Sequence, residues 1–288
     1  MTVHIIGSNS SIAKNIIDFL KIKKEKFILY HSTIKKPYYE NSIYIKNLHS
    51  FCDFKFKSCD IVIFCSGLAS VEKCELNPEL SFLKNFKEPI NVFLQTHRKD
   101  AFFINFSSGA VYGNPNKEIT LSTPFNPIST YGIHKYQLDQ KLNGKGNVIN
   151  LRLFSTYSKH QKKLLIYKIY QQIQKFKNNE ADGITLLGSP SSKRDFIHQE
   201  YIALSTLEII KDPSAFIGTH LIASGISYSV EEVTKILVNY YLSKSIPIFY
   251  KNTADDFVPR NWEVSLTNIL DLIPNPSNYT FPKKFPNY

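Results

Sequence analysis

Three side chains in the middle of the chain have the types and spacing that hydride transfer requires. Ser108 follows an apolar run over residues 101–106, which is typical of a buried strand. Tyr131 and Lys135 are four residues apart at the start of a predicted helix, so they share one helix face. An ammonium beside a phenol favours the phenolate and lowers the tyrosine pKa, which suits proton transfer near neutral pH. These residues predict a catalytic serine, tyrosine and lysine that act on a carbinol or ketone with a nicotinamide cofactor. Lys135 would also bind the ribose of that cofactor.

The elements that must position these residues alternate between apolar strands and helices. We predict strands at residues 3–6, 27–30, 42–45, 61–65, 101–106 and 148–154, and helices at 12–20, 80–96 and 131–142, with a break near Pro89. Strands that are apolar on both faces and alternate with helices indicate a doubly wound parallel sheet. The predicted fold class is therefore α/β, of the Rossmann type.

Beyond residue 155 the alternation becomes looser, which indicates a second and smaller unit. Helices are predicted at 163–176, 199–210 and 229–242, with a short strand at 184–187. No clear linker separates the two parts. We expect a Rossmann core at 1–155 and about 190–225, interleaved with a substrate-binding lobe at 156–189 and 226–288.

The segment between the first strand and the first helix has the position of a dinucleotide phosphate loop. Glycines there let the backbone approach the pyrophosphate, and the helix N-terminus favours its negative charge. Of the three glycines in that pattern only Gly7 is present, with Ser10 and Ala13 in the other two places. An ordinary strand–helix turn with a serine cap is the alternative. The candidate cofactor contacts of this loop are Gly7, Asn9, Ser10, Ser11 and Ile12.

The residues after the second strand bear on the choice between NAD and NADP. An NAD enzyme usually places an acidic residue there to bind the ribose 2′-hydroxyl. This chain has hydroxyls and cations instead, which can accept a 2′-phosphate, so NADP(H) is favoured over NAD(H). A solvated basic loop is the alternative. The candidate contacts are His31, Ser32, Thr33 and Lys35.

Bulk composition limits the class of protein. The chain has 288 residues, of which 43% are hydrophobic, enough for a full core. No apolar stretch approaches the ~20 residues of a membrane span, and the N-terminus lacks the pattern of a signal peptide. The four cysteines form no CxxC pair, so we expect no disulfide framework, no metal site and a cytoplasmic protein. The net charge of +11 comes from scattered lysines and does not indicate a nucleic-acid partner.

The order of these segments resembles the extended short-chain dehydrogenase/reductase family, in the branch that modifies nucleotide-diphosphate sugars. Further segments match it in order: Asn47-Leu48, Ser66-Gly67-Leu68, Asn85, Ser107 to Gly113, Leu151 to Phe154 and Arg194 to His198. The resemblance implies that Asn47, Leu48, Ser66, Gly67, Leu68, Asn85, Ser107 and Phe154 join the cofactor contacts. It implies substrate contacts from Ser108, Gly109, Ala110, Ser155, Arg194 and Arg260. It also implies a homodimer.

Departures from the family pattern narrow the predicted reaction. Dehydratases of the family carry an acid just after the catalytic serine or threonine, where this chain has Gly109 and Ala110. Epimerases of the family usually keep the acid after the second strand, which His31 replaces. Residues 71–79 are similar to the same stretch in 4-ketosugar reductases. We expect NADPH-dependent reduction of the 4-keto group of a nucleotide-diphospho-deoxysugar for surface polysaccharide. An NAD-dependent 4-epimerase is the alternative, and a non-catalytic dinucleotide-binding protein is a third.

Overall fold

The computed structural model describes residues 1–32, 37–50, 54–115, 117–242, 246–251, 262–265, 276–285 and 288. Its centre is a seven-stranded parallel sheet in the order β10-β6-β5-β4-β1-β2-β3, which confirms the predicted Rossmann-type α/β fold. The strands of this sheet are β1 (Val3–Ile6), β2 (Phe27–His31), β3 (Ile43–Tyr44), β4 (Ile61–Phe64), β5 (Phe102–Ser108), β6 (Val148–Leu153) and β10 (Gly218–Ile222).

Helices cover both faces of this sheet, as its strands, apolar on both sides, require. The helices are α1 (Ser11–Lys23), α2 (Val71–Leu76), α3 (Pro78–Phe82), α4 (Glu88–His97), α5 (Thr130–Leu142), α6 (Leu165–Lys177), α7 (Gln199–Lys211) and α8 (Val230–Leu242). Apolar side chains of α1 and α7 pack on one face of the sheet, and those of α4 and α5 pack on the other.

A separate group of elements builds a third apolar cluster outside the main sheet. Its strands are β7 (Ser155–Tyr157), β8 (Ile184–Leu187), β9 (Lys193–His198), β11 (Ser227–Ser229) and β12 (Ile248–Lys251). They form a three-stranded sheet, β11-β9-β7, and a two-stranded sheet, β12-β8. Side chains of α6 and α8 pack with Phe281 near the C-terminus, so this aromatic residue covers apolar surface.

Several predicted boundaries were wrong. Strand β5 continues to Ser108, two residues beyond the predicted end, because Ser107 and Ser108 pair with β6. The predicted break near Pro89 takes the form of a π-helical turn at Leu83–Lys87, directly before α4. Pro89 itself lies in the first turn of α4. Helix α2 and strands β7, β9, β10, β11 and β12 were not predicted.

In the part of the chain that the structure describes, no helix combines the length and the apolar character needed to cross a bilayer. In the same residues, no three His, Cys, Asp or Glu side chains gather in a way that could hold a metal ion. Cys59, Cys65 and Cys74 are free thiols.

Candidate active site

The predicted site residues follow the carboxyl ends of neighbouring strands, where a doubly wound sheet places its ligands. The loop from Gly7 to Ile12 follows β1, and Ser66 and Gly67 follow β4. Ser107 and Ser108 end β5, and Phe154 and Ser155 follow β6. These strands are adjacent in the order β6-β5-β4-β1, so the segments meet along one edge of the sheet.

The turn after β5 packs directly against the N-terminus of α5. Ser108 is 8% exposed, and its Oγ accepts a hydrogen bond from the backbone N of Ala110 at 3.2 Å, which starts a 3-10 turn over Gly109–Tyr112. A Cβ on Gly132 would lie 2.7 Å from the carbonyl oxygen of Ala110, so only glycine permits this approach. The neighbouring Tyr131 is half-buried against the same turn. The structure therefore brings the end of strand β5 and the start of helix α5 together.

Lys135 is fixed to the same strand. Its Nζ donates to the carbonyl oxygen of Phe106 at 2.8 Å, two residues before Ser108. The side chain is buried, and the resulting loss of hydration lowers the pKa of Lys135 to about 8, although the nearby Asp139 favours the charged form. The ammonium therefore loses its proton much closer to neutral pH than an exposed lysine does.

A buried charged cluster lies one helical turn beyond Lys135. Arg152 Nε donates to Asp139 Oδ2 at 2.9 Å, and its Nη1 donates to the Tyr112 hydroxyl at 2.7 Å. Asn150 Nδ2 donates to the other carboxylate oxygen of Asp139 at 3.0 Å. Sequence reasoning missed this cluster, although an arginine and an asparagine within the apolar strand β6 are its signal. The cluster ties α5 to β6 and to the turn after Ser108.

An aromatic pair closes one side of the turn at Gly109–Tyr112. A Cβ on Gly109 would lie 2.5 Å from the ring of Phe154, which itself meets Trp262 edge to face at 5.8 Å between centroids. Trp262 Nε1 donates to the carbonyl oxygen of Gly113 at 3.0 Å. Phe154 thus packs on the turn after Ser108, and its contact with a cofactor stays a prediction. Trp262 was not among the predicted site residues.

The predicted phosphate loop has one of the three glycines of the dinucleotide-binding pattern, and its contacts show what each residue does. Gly7 has φ 87°, and a Cβ on it would lie 2.6 Å from the backbone N of Ser66, so this position requires glycine. Ser10 is the N-cap of α1, with its Oγ accepting from Ala13 N at 3.2 Å. Asn9 Oδ1 accepts from Tyr38 N at 2.9 Å. The glycine that sets the close approach is retained, and the serine caps the helix that would face a pyrophosphate.

The turn after β4 is held by one buried amide. Asn85, 1% exposed, accepts from Leu68 N at 3.0 Å through Oδ1 and donates to Leu68 O at 3.1 Å through Nδ2. The preceding Gly67 has φ 154°, and a Cβ added to it would lie 3.2 Å from Asn85 Oδ1. Leu48, another predicted contact, is buried in the core, and Asn91 Nδ2 donates to its carbonyl oxygen at 2.8 Å. The preceding Asn47 accepts from Ser50 through its carbonyl oxygen.

The residues predicted to select NADP are only partly described. His31 ends β2, is 7% exposed, and its Nδ1 lies 3.0 Å from the Ser42 hydroxyl. Its ring therefore has a structural partner, and its contact with a 2′-phosphate stays a prediction, as does that of the adjoining Ser32. Thr33 and Lys35 lie outside the described residues.

On the predicted substrate side, Arg194 lies in β9 opposite Tyr228 of β11. The next residue, Asp195, is fully buried and accepts from the backbone N of Ser224 at 2.8 Å and of Gly225 at 2.7 Å. Burial outweighs these bonds and raises the pKa of Asp195 to about 6. Arg260 lies outside the described residues. The structure thus describes one of the two predicted arginines, on a strand that Asp195 anchors.

A known protein family has a similar sequence over most of this chain. Residues 3–222 match the model of the NAD dependent epimerase/dehydratase family. The chain belongs to this family. The match includes the loop from Gly7 to Ile12, strand β5 with Ser108, helix α5 and Arg194, and it ends before Trp262.

Solved structures share its fold over nearly the whole length. UDP-N-acetylglucosamine 4-epimerase of Methanobrevibacter ruminantium has 22% identity, a TM-score of 0.79, and coverage of 96% of this chain and 94% of that one. UDP-glucose 4-epimerase of Thermus thermophilus, solved with NAD, has 16% identity, a TM-score of 0.79 and coverage of 93% and 91%. RMD of Pseudomonas aeruginosa, solved with NADPH, has 16% identity, a TM-score of 0.75 and coverage of 92% and 89%.

Proposed function

We propose that this family member reduces the 4-keto group of a nucleotide-diphospho-deoxysugar with NADPH. Bound NADPH would supply the hydride to C4 of the sugar. Tyr131 donates the proton that the developing alkoxide at C4 requires. The ammonium of Lys135 stabilises the resulting phenolate, and the hydroxyl of Ser108 donates a hydrogen bond to the same substrate oxygen. The retained close approach at Gly7 and the serine-capped start of α1 suit a pyrophosphate.

The observation that carries the proposal is the packing of Phe154 on Gly109. Expelling water from a sugar needs side chains that remove a proton from carbon and protonate the departing hydroxyl. The space that a side chain at residue 109 would occupy is filled by an aromatic ring, itself fixed by Trp262. The next residue, Ala110, cannot transfer protons. This arrangement supports simple reduction at the carbonyl over dehydration.

The preference for NADPH rests on the end of β2. His31 occupies the place where an NAD enzyme usually has a carboxylate, and the next acidic residue along the chain is Glu40. Thr33 and Lys35 would then bind the 2′-phosphate. RMD, solved with NADPH, supports the use of this cofactor by a similar fold.

The remaining assignments belong to the same proposal. Arg194 and Arg260 would bind the diphosphate, with residues 156–189 and 226–288 as the substrate lobe beside a core of 1–155 and about 190–225. The product would be a deoxysugar nucleotide for surface polysaccharide, made in the cytoplasm by a homodimer.

A second candidate is a nucleotide-sugar 4-epimerase that keeps its cofactor bound between half-reactions. Two solved 4-epimerases acting on UDP-sugars share the fold over 96% and 93% of this chain, which favours this candidate. The same Ser108, Tyr131 and Lys135 would serve both hydride transfers. The two candidates differ in the fate of the cofactor: the reductase consumes free NADPH, and the epimerase retains NAD.

The test measures NADPH oxidation with a panel of 4-keto-6-deoxy sugar nucleotides, for the wild type and for Tyr131→Phe. Loss of the phenol is expected to reduce turnover roughly 10²- to 10⁴-fold while NADPH still binds. Tyr136→Phe, on the same helix but packed against Phe125, is the matched control and should keep its turnover. No oxidation by the wild type with any substrate would overturn the reductase. Stoichiometric NAD in the purified protein, with conversion of a UDP-sugar, would establish the epimerase.

A further inference from the structure

A chain of hydrogen bonds connects the catalytic helix to the turn after β4. It begins at His134, which directly precedes Lys135 on α5 and has no part in the proposed chemistry. His134 Nδ1 lies 2.8 Å from the Ser81 hydroxyl, and that hydroxyl lies 3.3 Å from Asn85 Nδ2. Asn85 in turn holds both backbone groups of Leu68. Three side chains thus span the distance between α5 and the predicted cofactor turn.

The donors and acceptors along this chain are compatible with a neutral His134. The Asn85 amide nitrogen can only donate, so the Ser81 oxygen accepts from it and has its own hydrogen available for a second bond. A neutral His134 ring with its hydrogen on Nε2 accepts that hydrogen at Nδ1. Burial lowers the pKa of His134, although the carboxylate of Glu75 opposes this shift. The surroundings therefore favour the neutral ring, the form that can accept at Nδ1.

The main-chain geometry supports the same link. Ser81 lies in α3, 0% exposed, and Asn85 lies in the π-helical turn that separates α3 from α4. Single π-turns insert a residue into a helix and frequently occur at functional sites. The Cys74 thiol also donates to the Leu68 carbonyl oxygen at 3.3 Å. The Leu68 backbone is thus the point on which the π-turn and α2 converge.

We propose that His134 is a positioning residue that acts through Ser81 and Asn85 to fix the Gly67–Leu68 turn for the cofactor. The inference rests on the proposed function in that the turn is taken as part of the cofactor site. It adds that a buried relay of hydrogen bonds fixes the position of the cofactor turn relative to helix α5, which carries Tyr131 and Lys135. Loss of the relay loosens the turn and weakens cofactor binding, while the tyrosine and lysine themselves are unchanged.

The experiment compares His134→Ala, Ser81→Ala and the double variant with the wild type. The dissociation constant for NADPH is measured by fluorescence titration, and hydrogen exchange is followed in peptides spanning residues 65–70. Each single variant is expected to weaken NADPH binding roughly tenfold and to speed exchange in those peptides. The double variant should be no worse than either single one, because both remove the same chain of bonds.

Two further variants separate positioning from general destabilisation. His134→Asn retains an acceptor near the place of Nδ1 and should restore NADPH binding to within about threefold of the wild type. Ser205→Ala removes an equally buried serine hydroxyl on α7, away from the relay, and should leave NADPH binding unchanged.

The outcomes distinguish failure of the relay from failure of the proposed function. If the wild type binds NADPH and both alanine variants bind it equally well, the relay is wrong and the proposed function stands. If His134→Asn behaves as His134→Ala does, the acceptor role is wrong. If the wild type binds no NADPH, the proposed cofactor fails, and the exchange rates of residues 65–70 alone decide whether the relay holds the turn.

Discussion

Helices α1 and α5 begin in the same way and are held in opposite ways. Both start beside the carboxyl end of a parallel strand with a serine N-cap, Ser10 for α1 and Ser129 for α5. Helix α1 rests on neutral groups: Gln199 Oε1 accepts from Asn15 at 3.1 Å and from Ser158 at 2.7 Å. Helix α5 rests on the buried pair of Asp139 and Arg152, together with a buried lysine.

The difference follows from what each helix would face. The phosphate loop would meet a charged ligand with backbone N–H groups and the helix dipole, so no ionised side chain is needed beneath it. Gln199 Nε2 donates to Ser11 Oγ at 3.1 Å and to Thr156 Oγ1 at 3.2 Å, which satisfies the amide without any charge. Helix α5 instead buries the Lys135 ammonium away from water, and Asp139 supplies an opposing charge. We expect α5 to be the more sensitive of the two to single substitutions.

The largest expected effect on stability comes from the buried Asp139–Arg152 pair beneath α5. Asp139→Ala leaves the Arg152 guanidinium buried without its carboxylate, which costs about 3–5 kcal/mol of unfolding free energy. Chemical denaturation measures this loss. Glu208→Ala is the control, since it breaks the exposed pair with Lys211 and should cost no more than about 0.5 kcal/mol. Equal losses for the two variants would show that burial of the α5 pair has no consequence.

At the start of α1, Gly7→Ala tests the close approach between the predicted phosphate loop and the residues that follow β4. The left-handed φ alone costs about 1–2 kcal/mol, and the clash with Ser66 N adds to it. Gly144→Ala separates the two contributions, because Gly144 has φ 67° and no atom within 4 Å of its added Cβ. Denaturation midpoints should therefore fall further for residue 7. Similar midpoints would mean that the loop moves freely away from β4.

Gln199→Leu removes the amide at the centre of the neutral network. Asn15 and Ser158 would each lose a buried partner, with an expected cost of about 1–3 kcal/mol. Gln137→Leu on the exposed face of α5 is the matched control and should change stability by less than about 0.5 kcal/mol. A loss larger than that of Asp139→Ala would reverse the ranking of the two helices.

The smallest effect, taken over a single pH unit, is a pH dependence. Because the pKa of Lys135 is about 8 in the folded protein and near 10.5 when unfolded, the unfolded chain binds more protons between these values. Folding stability contributed by Lys135 should therefore rise with pH across that window, by up to about 1.4 kcal/mol per pH unit. The measurement compares stability from pH 7.5 to 10.5 in the wild type and Lys135→Met. Parallel curves would contradict the lowered pKa.

Much of the main sheet and the catalytic helix could be predicted because their signals are local. Apolar runs mark β1, β4, β5 and β6, and Tyr131 and Lys135 are positioned by helical spacing alone. Gly7 could be identified for the same reason, since it follows directly on a strand. A local pattern suffices where a residue's role depends on its neighbours in the chain.

The rest depends on partners far along the chain. Strand β9 contains Lys193, Arg194 and Asp195, so its composition argues against a strand until β7 and β11 pair with it. Gln199 and Asn15 are 184 residues apart, and no sequence pattern in either segment predicts their contact. The π-turn around Asn85 has no propensity signal of its own. The relay from His134 was invisible for the same reason.

The chain's only tryptophan lies where three segments meet. Trp262 donates from its indole to the carbonyl oxygen of Gly113, beside the turn that follows Ser108, and its backbone N donates to Lys193 O at the start of β9. Its carbonyl oxygen accepts from Ser227 Oγ of β11 at 2.7 Å. Intrinsic indole emission of the protein therefore originates at a single junction. A shift in its wavelength on adding a nucleotide sugar would report water entering or leaving that junction, with no label attached.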